Sequence, residues 1–379
     1  MPDQTYTRPA LDVIPPDLVC LADYERLAAD FIDPATYAYI AGGSGDEISL
    51  RDNRQALDEI TVHHRVLCDC RRGSTALTLL GQQFRHPILL APVAFQALVH
   101  PEGELATAQA ADALEAGLIA STLSSFSLEA IAGATGGPKW FQLYFQPRRE
   151  DTRQLQERAR AAGYSAIVAT LDSPVQSVSR RSQRAAFTLP PQVRAVNLQQ
   201  QAPPPQVALS ADQSIVFQGM MSEAPTWADL AWLLEHTDLP VLAKGVSHPD
   251  DARRLREAGI AGIVVSNHGG RALDCVPAGI RLLPAIRQAV GEHFPLLVDG
   301  GIRSGYDVFK ALAAGADAVA IGRPQMYALA VAGARGVAHT LKILRDELEV
   351  CMSLAGCPDI ASIDRQAICE AHNLRPWSL

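Results

Sequence analysis

The chain has 379 residues, 48% of them hydrophobic and 20% charged, with a formal net charge of −8. Such a length fills a large core, and the apolar share excludes a disordered chain; the mild acidic excess, without a concentrated basic groove or zinc-finger spacing, argues against a nucleic-acid partner. The seven cysteines, including Cys68-Asp69-Cys70 and Cys351 with Cys357, are odd in number and too loosely spaced for a metal site, so they read as reduced thiols of a cytoplasmic protein.

In chain order, Met1-Pro2-Asp3-Gln4 lacks the basic and apolar regions of a secretory leader, and no later run reaches about 18 apolar residues, so no membrane span is expected. Residues 1–80 read as a helical extension. Leu21 to Phe31 is partly amphipathic, and Pro34 opens a second helix that Gly42-Gly43-Ser44-Gly45 stops. From residue 81 a barrel rhythm begins. Short apolar strands are expected at Ile88 to Ala91, Leu118 to Ser121, Trp140 to Tyr144 and Ala166 to Thr170. Four more fall at Val241 to Lys244, Ile263 to Ser266, Leu296 to Asp299 and Val319 to Gly322. Helical patterns separate most of them: Glu102 to Ala116, Asp151 to Ala162, Asp250 to Ala258 and Ile280 to Val290. Eight buried strands alternating with helices predict an α/β fold, a closed (β/α)8 TIM barrel over residues 81–379. The missing early GxGxxG disfavours the open doubly wound alternative. One long irregular excursion follows the fourth strand, with Pro190-Pro191, Gln199-Gln200-Gln201 and Pro203-Pro204-Pro205. Over residues 175–225 it is expected to act as a lid beside the barrel mouth.

The carboxyl ends of barrel strands carry chemistry. There stands Ser266-Asn267-His268-Gly269-Gly270-Arg271, joining an imidazole that takes a proton near neutral pH to a guanidinium that grips a carboxylate. Lys244 ends its own strand, where a Schiff base, phosphate binding or support of an anionic cofactor are open roles. Asp172 is placed to orient an imidazole or to cap a loop. Gln142 and Tyr144 alternate on one strand. Asp299-Gly300-Gly301 with Arg303, and Gly322-Arg323-Pro324, bring glycines and guanidiniums to the last two strand ends, a pattern suited to a phosphate.

Taken together, these motifs resemble the FMN-dependent α-hydroxy-acid oxidases and dehydrogenases, the family of glycolate, lactate and mandelate oxidation. The likeness runs from about residue 20 to 370. It is carried by Ser266 to Asp274, Asp299-Gly300-Gly301-Ile302-Arg303-Ser304-Gly305, Ile321-Gly322-Arg323-Pro324, His100-Pro101-Glu102-Gly103-Glu104 and Phe141-Gln142-Leu143-Tyr144. The resemblance implies oxidation of an (S)-2-hydroxy acid to the 2-oxo acid, with His268 as base, Asp172 supporting it, and Arg271, Tyr144 and Tyr24 on the substrate. It implies FMN lined by Ala91, Pro92, Val93 and Ala94, hydrogen-bonded by Ser124, Gln142, Thr170 and Ser266, faced by Lys244, and anchored by Asp299, Gly301, Arg303, Gly322 and Arg323. It also implies a homo-oligomer, often a tetramer.

Two positions depart from the pattern. A second substrate arginine is expected seven residues after Asp172, where Ser179 stands, which leaves Arg180 or Arg181 as its replacement. Phe126 takes a place where tryptophan is familiar. Ala94 leans toward O2 as electron acceptor, with H2O2 as product. A dehydrogenase using a quinone or redox protein is the alternative within the family, and a noncatalytic barrel binding a phosphorylated ligand is the alternative outside it.

Overall fold

The computed structural model describes residues 6–201 and 208–370; Pro203, Pro204 and Pro205 of the excursion lie outside the described residues. Eight strands close into a barrel: β1 (Ile88–Leu90), β2 (Gly117–Ser121), β3 (Lys139–Leu143), β4 (Ile167–Thr170), β5 (Val241–Val246), β6 (Gly262–Val265), β7 (Leu296–Asp299) and β8 (Ala318–Ile321). Every neighbouring pair is parallel, and β8 returns to β1 through Ile88↔Val319 and Leu90↔Ile321. Such strands are largely apolar because helices cover the outside and side chains fill the inside; β2, β4, β6, β7 and β8 are buried at every position. The inner packing takes a residue from each strand: Leu89, Ile119, Trp140, Val168, Leu242, Val264, Leu297 and Ala318.

The floor of the barrel is a hairpin, Leu77–Leu79 with Gln82–Phe84, whose Leu79 and Phe84 pack into that inner cluster. Leu80 and Gly81 both have positive φ, the geometry that two-residue hairpin turns favour. The leader is therefore not helical to residue 80. Helices α1 (Leu21–Ala28), α2 (Pro34–Ala41) and α3 (Ile48–Asp58) are followed by a strand, Ile60–Val62, that pairs with Ile368–Glu370 near the other end of the chain. Three-residue strands are too short to display alternation, so the sequence does not announce them.

The barrel helices include α4 (Gly103–Ala113), α5 (Leu128–Gly133) and α6 (Arg149–Ala161). The excursion holds α7 (Arg180–Arg184) and shorter turns at Val196–Leu198, Ile215–Gly219 and Met220–Glu223. It is followed by α8 (Trp227–Glu235), α9 (Pro249–Glu257), α10 (Gly279–Val290), α11 (Gly305–Ala313) and α12 (Arg323–Ala355). The last is broken at Ala332 and Gly333; Gly333 has φ 56, and a Cβ there would meet His100 Nε2 at 3.0 Å. Apolar α1 residues Leu21, Tyr24 and Ala28 join Leu341 and Leu344 of α12 in the main core, so the leader is packed onto the barrel. Among the described residues, no helix is long and apolar enough to cross a membrane, and no group of His, Cys, Asp or Glu is placed to hold a metal ion.

Candidate active site

A cavity of about 480 Å³ opens at the carboxyl ends of the strands, within the size range of small-molecule and cofactor sites. His268 stands on its wall. The β6 strand ends at Val265, and the chain turns sharply through His268 (φ 58), Gly269 (φ 61) and Gly270 (φ 74). A left-handed histidine is a local strain that its surroundings must hold. Ser266 Oγ accepts the His268 N–H at 2.9 Å, and Asn267 exchanges paired amide hydrogen bonds with Asn53 of α3 at 2.9 and 3.0 Å. Asp274 ties the start of α3 to the same turn, accepting from Ser49 N and Asp46 N. The leader thus clamps the catalytic-looking turn from outside.

His268 Nδ1 lies 2.8 Å from Asp172 Oδ1. Burial on its own would raise the Asp172 carboxyl, but the hydrogen bond and charge of His268, with the Lys244 charge, outweigh it and hold the group below the usual carboxylate range. An ionised Asp172 can only accept, so Nδ1 carries the proton and Nε2 is the atom left to act as a base. Asp172 reaches this position because residue 245 is glycine: a Cβ there would strike Asp172 Cγ at 2.3 Å.

Lys244, 4% exposed, sits in a buried chain. Its Nζ donates to Ser266 Oγ at 3.1 Å and pairs with Asp299 Oδ2 at 3.3 Å, while Ser266 Oγ donates to Asp299 Oδ1 at 2.6 Å. Burial works to lower the Lys244 ammonium, yet the Asp299 and Asp172 charges raise it, so the cation is retained. Gln142 is fixed in the opposite sense: its Oε1 accepts from Thr122 N and its Nε2 donates to Thr170 Oγ1 at 3.0 Å. Ala91, Pro92, Val93 and Ala94 form an apolar stretch of the wall, and burial pushes the nearby Tyr144 phenol up.

Two guanidiniums converge without a carboxylate partner among the described residues. Arg271 Nη1 donates to the Tyr39 and Gly42 carbonyls at 2.6 and 3.2 Å, and its guanidinium lies 4.8 Å from the centre of the Tyr39 ring. Arg323 donates through Nε to Ile40 O, through Nη1 to Gly269 O and through Nη2 to Gly42 O. Four of these bonds end on carbonyls at the carboxyl terminus of α2, the negative end of a helix. Burial first, and the Arg271 charge second, push Arg323 down to about 10, still protonated at neutral pH. A bound anion is the counter-charge this pair calls for. Among the described residues Arg271 spends only Nη1 on protein, leaving Nε and Nη2 for a bidentate carboxylate.

Most of the site residues expected from sequence meet at this cavity: Tyr144, Gln142, Thr170, Lys244, His268, Arg271, Asp299, Gly301, Arg303, Gly322 and Arg323 all line it, with the Ala91 to Ala94 stretch. Others stand elsewhere. Tyr24 is buried in α1, its hydroxyl 2.9 Å from His339 Nδ1, and does not line the cavity. Tyr39 lines the cavity instead, beside Arg271 and stacked on Phe187 of the excursion at 4.3 Å. The only sequence sign of Tyr39 was an aromatic residue just before the glycine stop of a helix. Arg180 and Arg181 turn outward to Asp46 and Glu47, so neither replaces the arginine expected at Ser179; Ser179 itself caps α7. Ser124 spends its hydroxyl on the Ser121 carbonyl at 2.6 Å, and Ser121 lines the wall instead. Ser266 and Asp172 act from behind the wall. Phe126 packs near Gly103 rather than on the cavity. Arg303 lines the cavity but gives its Nε to Glu25 at 2.9 Å. Gly301 is demanded by Asn53, whose carbonyl a Cβ would meet at 2.0 Å, whereas a Cβ on Gly322 would meet nothing closer than 3.9 Å, leaving open space there. At the mouth, Gln176, Ser177, Glu223 and Pro225 of the excursion complete the wall.

An apolar wall, a fixed row of amide and hydroxyl groups, a buried ammonium, and open space beside Gly322 and a guanidinium match a flat heteroaromatic ring carrying an anionic tail. FMN fits that description. The model of the FMN-dependent dehydrogenase family matches residues 28–370. The L-lactate oxidase of Alicycliphilus denitrificans is 53% identical over 357 residues, covering 94% of this chain and 98% of that protein. The 4-hydroxymandelate oxidase of Amycolatopsis orientalis is 44% identical over 347 residues, covering 92% and 97%. A solved structure of mandelate oxidase with (S)-2-phenylpropionate superposes with a TM-score of 0.83 at 43% identity, covering 93% of this chain and 98% of that one.

Proposed function

From the premise that this chain belongs to the FMN-dependent dehydrogenase family and oxidises a 2-hydroxy acid to the 2-oxo acid, we propose that O2 is its electron acceptor and that His268, Asp172, Arg271, Tyr39 and Tyr144 carry the substrate chemistry. The observation that bears most weight is the His268–Asp172 pair at 2.8 Å, set on the same cavity wall as the free edge of Arg271.

Bound FMN supplies the two-electron acceptor that side chains lack. Arg271 holds the substrate carboxylate through Nε and Nη2. That contact orients the acid and leaves its hydroxyl-bearing carbon toward His268. His268 Nε2 takes the proton, and Asp172 balances the imidazolium through the Nδ1 hydrogen bond. Tyr144 and Tyr39 position the acid from two sides. On the cofactor side, Gln142 and Thr170 offer hydrogen bonds to a ring edge. Lys244 offers positive charge, and Arg323, Arg303 and the Gly322 backbone hold a phosphate. A homo-oligomer, a tetramer in this reading, and a cytoplasmic setting are supported by seven unpaired cysteines and by the exposed Ile215, Phe217 and Met220 of the excursion.

The test is anaerobic mixing of the FMN-loaded protein with a panel of (S)-2-hydroxy acids, followed by air. Bleaching of the flavin with at least one acid, then recovery with release of peroxide, is expected. A flavin that keeps its colour across the panel would refute the reaction. Recovery with a quinone and not with air would refute the acceptor.

A further inference from the structure

Away from the cavity, three of the cysteines meet where α12 ends. Gly356 closes that helix in a left-handed conformation, φ 75. The thiol of Cys68 covers its α-carbon: a Cβ at residue 356 would lie 2.5 Å from Cys68 Sγ and 3.0 Å from Cys68 Cβ. Cys357 is the next residue, 6% exposed, one peptide unit of about 3.8 Å farther on. The two segments are held in register by Arg65 N donating to Leu354 O at 3.0 Å and Ser74 N donating to Pro358 O at 2.8 Å. Cys70 belongs to the same loop, its carbonyl and that of Pro358 flanking Gly73. Burial first, then the charges of Asp364, Cys70 and Cys68, push the Cys357 thiol up.

We propose that Cys68 and Cys357 are an oxidative modification site, closing a disulfide between this loop and the end of α12 when the protein meets hydrogen peroxide. Cys68 is exposed and meets the oxidant first. Its sulfur attacks one peroxide oxygen, the O–O bond breaks, and one water leaves, giving a sulfenic acid. The Cys357 sulfur then displaces the sulfenic oxygen as a second water, forming the S–S bond. In sum two thiols give up two electrons and two protons, and both peroxide oxygens become water. Cys351, 3% exposed, also neighbours Cys357, and a link from either Cys357 or Cys68 to Cys351 would overturn the assignment. The enzyme as its own source of peroxide rests on the oxidase reading above; the site itself does not.

The FMN-loaded protein is treated with hydrogen peroxide, alkylated under denaturing conditions and mapped by mass spectrometry. The expected result is loss of two of the seven free thiols, a mass lower by two hydrogens, and a peptide pair joining Cys68 to Cys357 that dithiothreitol reverses. Cys70→Ser retains the link. Cys68→Ser abolishes it, and Cys357→Ala leaves a sulfenic acid on Cys68 that dimedone traps, with bound flavin reporting that each variant is folded. Seven alkylated thiols after peroxide, or a link through Cys70 in the unsubstituted protein, overturns the assignment. A second arm replaces added peroxide by aerobic turnover with and without catalase. A link formed by added peroxide but never by turnover leaves the site standing and overturns peroxide release by the enzyme.

Discussion

Replacing Asp172 by Asn removes a charge while nearly conserving shape, which makes it the sharpest probe of the catalytic pair. The His268 Nδ1 to Asp172 Oδ1 distance is 2.8 Å, and the Asp172 side chain is 10% exposed. When Nε2 takes the substrate proton, the new cation lies about 4 Å from that carboxylate, where two unit charges attract by about 4 kcal/mol at an effective dielectric constant of about 20. A hydrogen bond to a charged partner nets about 1.5–3 kcal/mol against about 0.5–1.5 for a neutral one, so the amide recovers only part of the loss. The expected net cost is about 2–3 kcal/mol in the transition state, or flavin reduction slower by about 30- to 150-fold. The assay is anaerobic stopped-flow at saturating 2-hydroxy acid. The flavin spectrum and the affinity for a 2-oxo acid should stay within a few fold, because Arg271 is untouched. Reduction within about threefold of the unsubstituted rate would show that Asp172 does not act through its charge.

His268→Gln should keep FMN but nearly abolish flavin reduction, read in the same instrument; an unchanged rate removes the base from its role. Arg271→Lys loses the bidentate edge and should raise KM by about 30-fold, equivalent to about 2 kcal/mol, with a smaller effect on kcat; equal KM values would place the carboxylate elsewhere. A stability prediction comes from His86, fully buried below the barrel, whose Nδ1 accepts the Ile88 N–H at 3.3 Å while Nε2 meets the Leu114 carbonyl at 3.1 Å. Burial pushes it down to about 4. The unfolded chain, titrating near 6.5, binds the extra proton in between, so stability falls as pH drops from about 6.5 to about 4, by up to about 3 kcal/mol. Denaturant melts at pH 7.5 and 4.5 should show this loss, and His86→Gln should flatten it; an identical pH slope in the variant would exclude His86 as its origin.

The barrel was legible because each strand is built on a short apolar run and the polar side chains of the site stand at or beyond its carboxyl end, as His268 follows Val265 and Lys244 stands within the last half of β5. What escaped the sequence lies where no strand end marks it. Tyr39 sits on a leader helix whose apolar and polar faces barely differ, and its meaning appears only when Arg271 and Phe187 close on it. Tyr24, the tyrosine expected there, is a core residue of α1. The supporting contacts were equally silent: the Asn53–Asn267 amide pair joins residues 214 positions apart, and Gly245 reads as an ordinary turn glycine until Asp172 is seen against it. The replacement expected of Arg180 or Arg181 failed for a local reason, since Asp46 and Glu47 offer both an outward partner.

Because the carbonyls of Tyr39, Ile40 and Gly42 are what Arg271 and Arg323 rest upon, labour is divided between the two parts of the chain. In the proposed reaction the barrel supplies His268, Asp172, Arg271 and Lys244, while the segment ahead of it supplies Tyr39 and the carbonyls against which the two guanidiniums rest. Exchanging that segment for one from a relative would retune anion affinity without altering a single residue of the barrel. A barrel expressed alone would have two guanidiniums repelling each other across a pocket that has lost their footing.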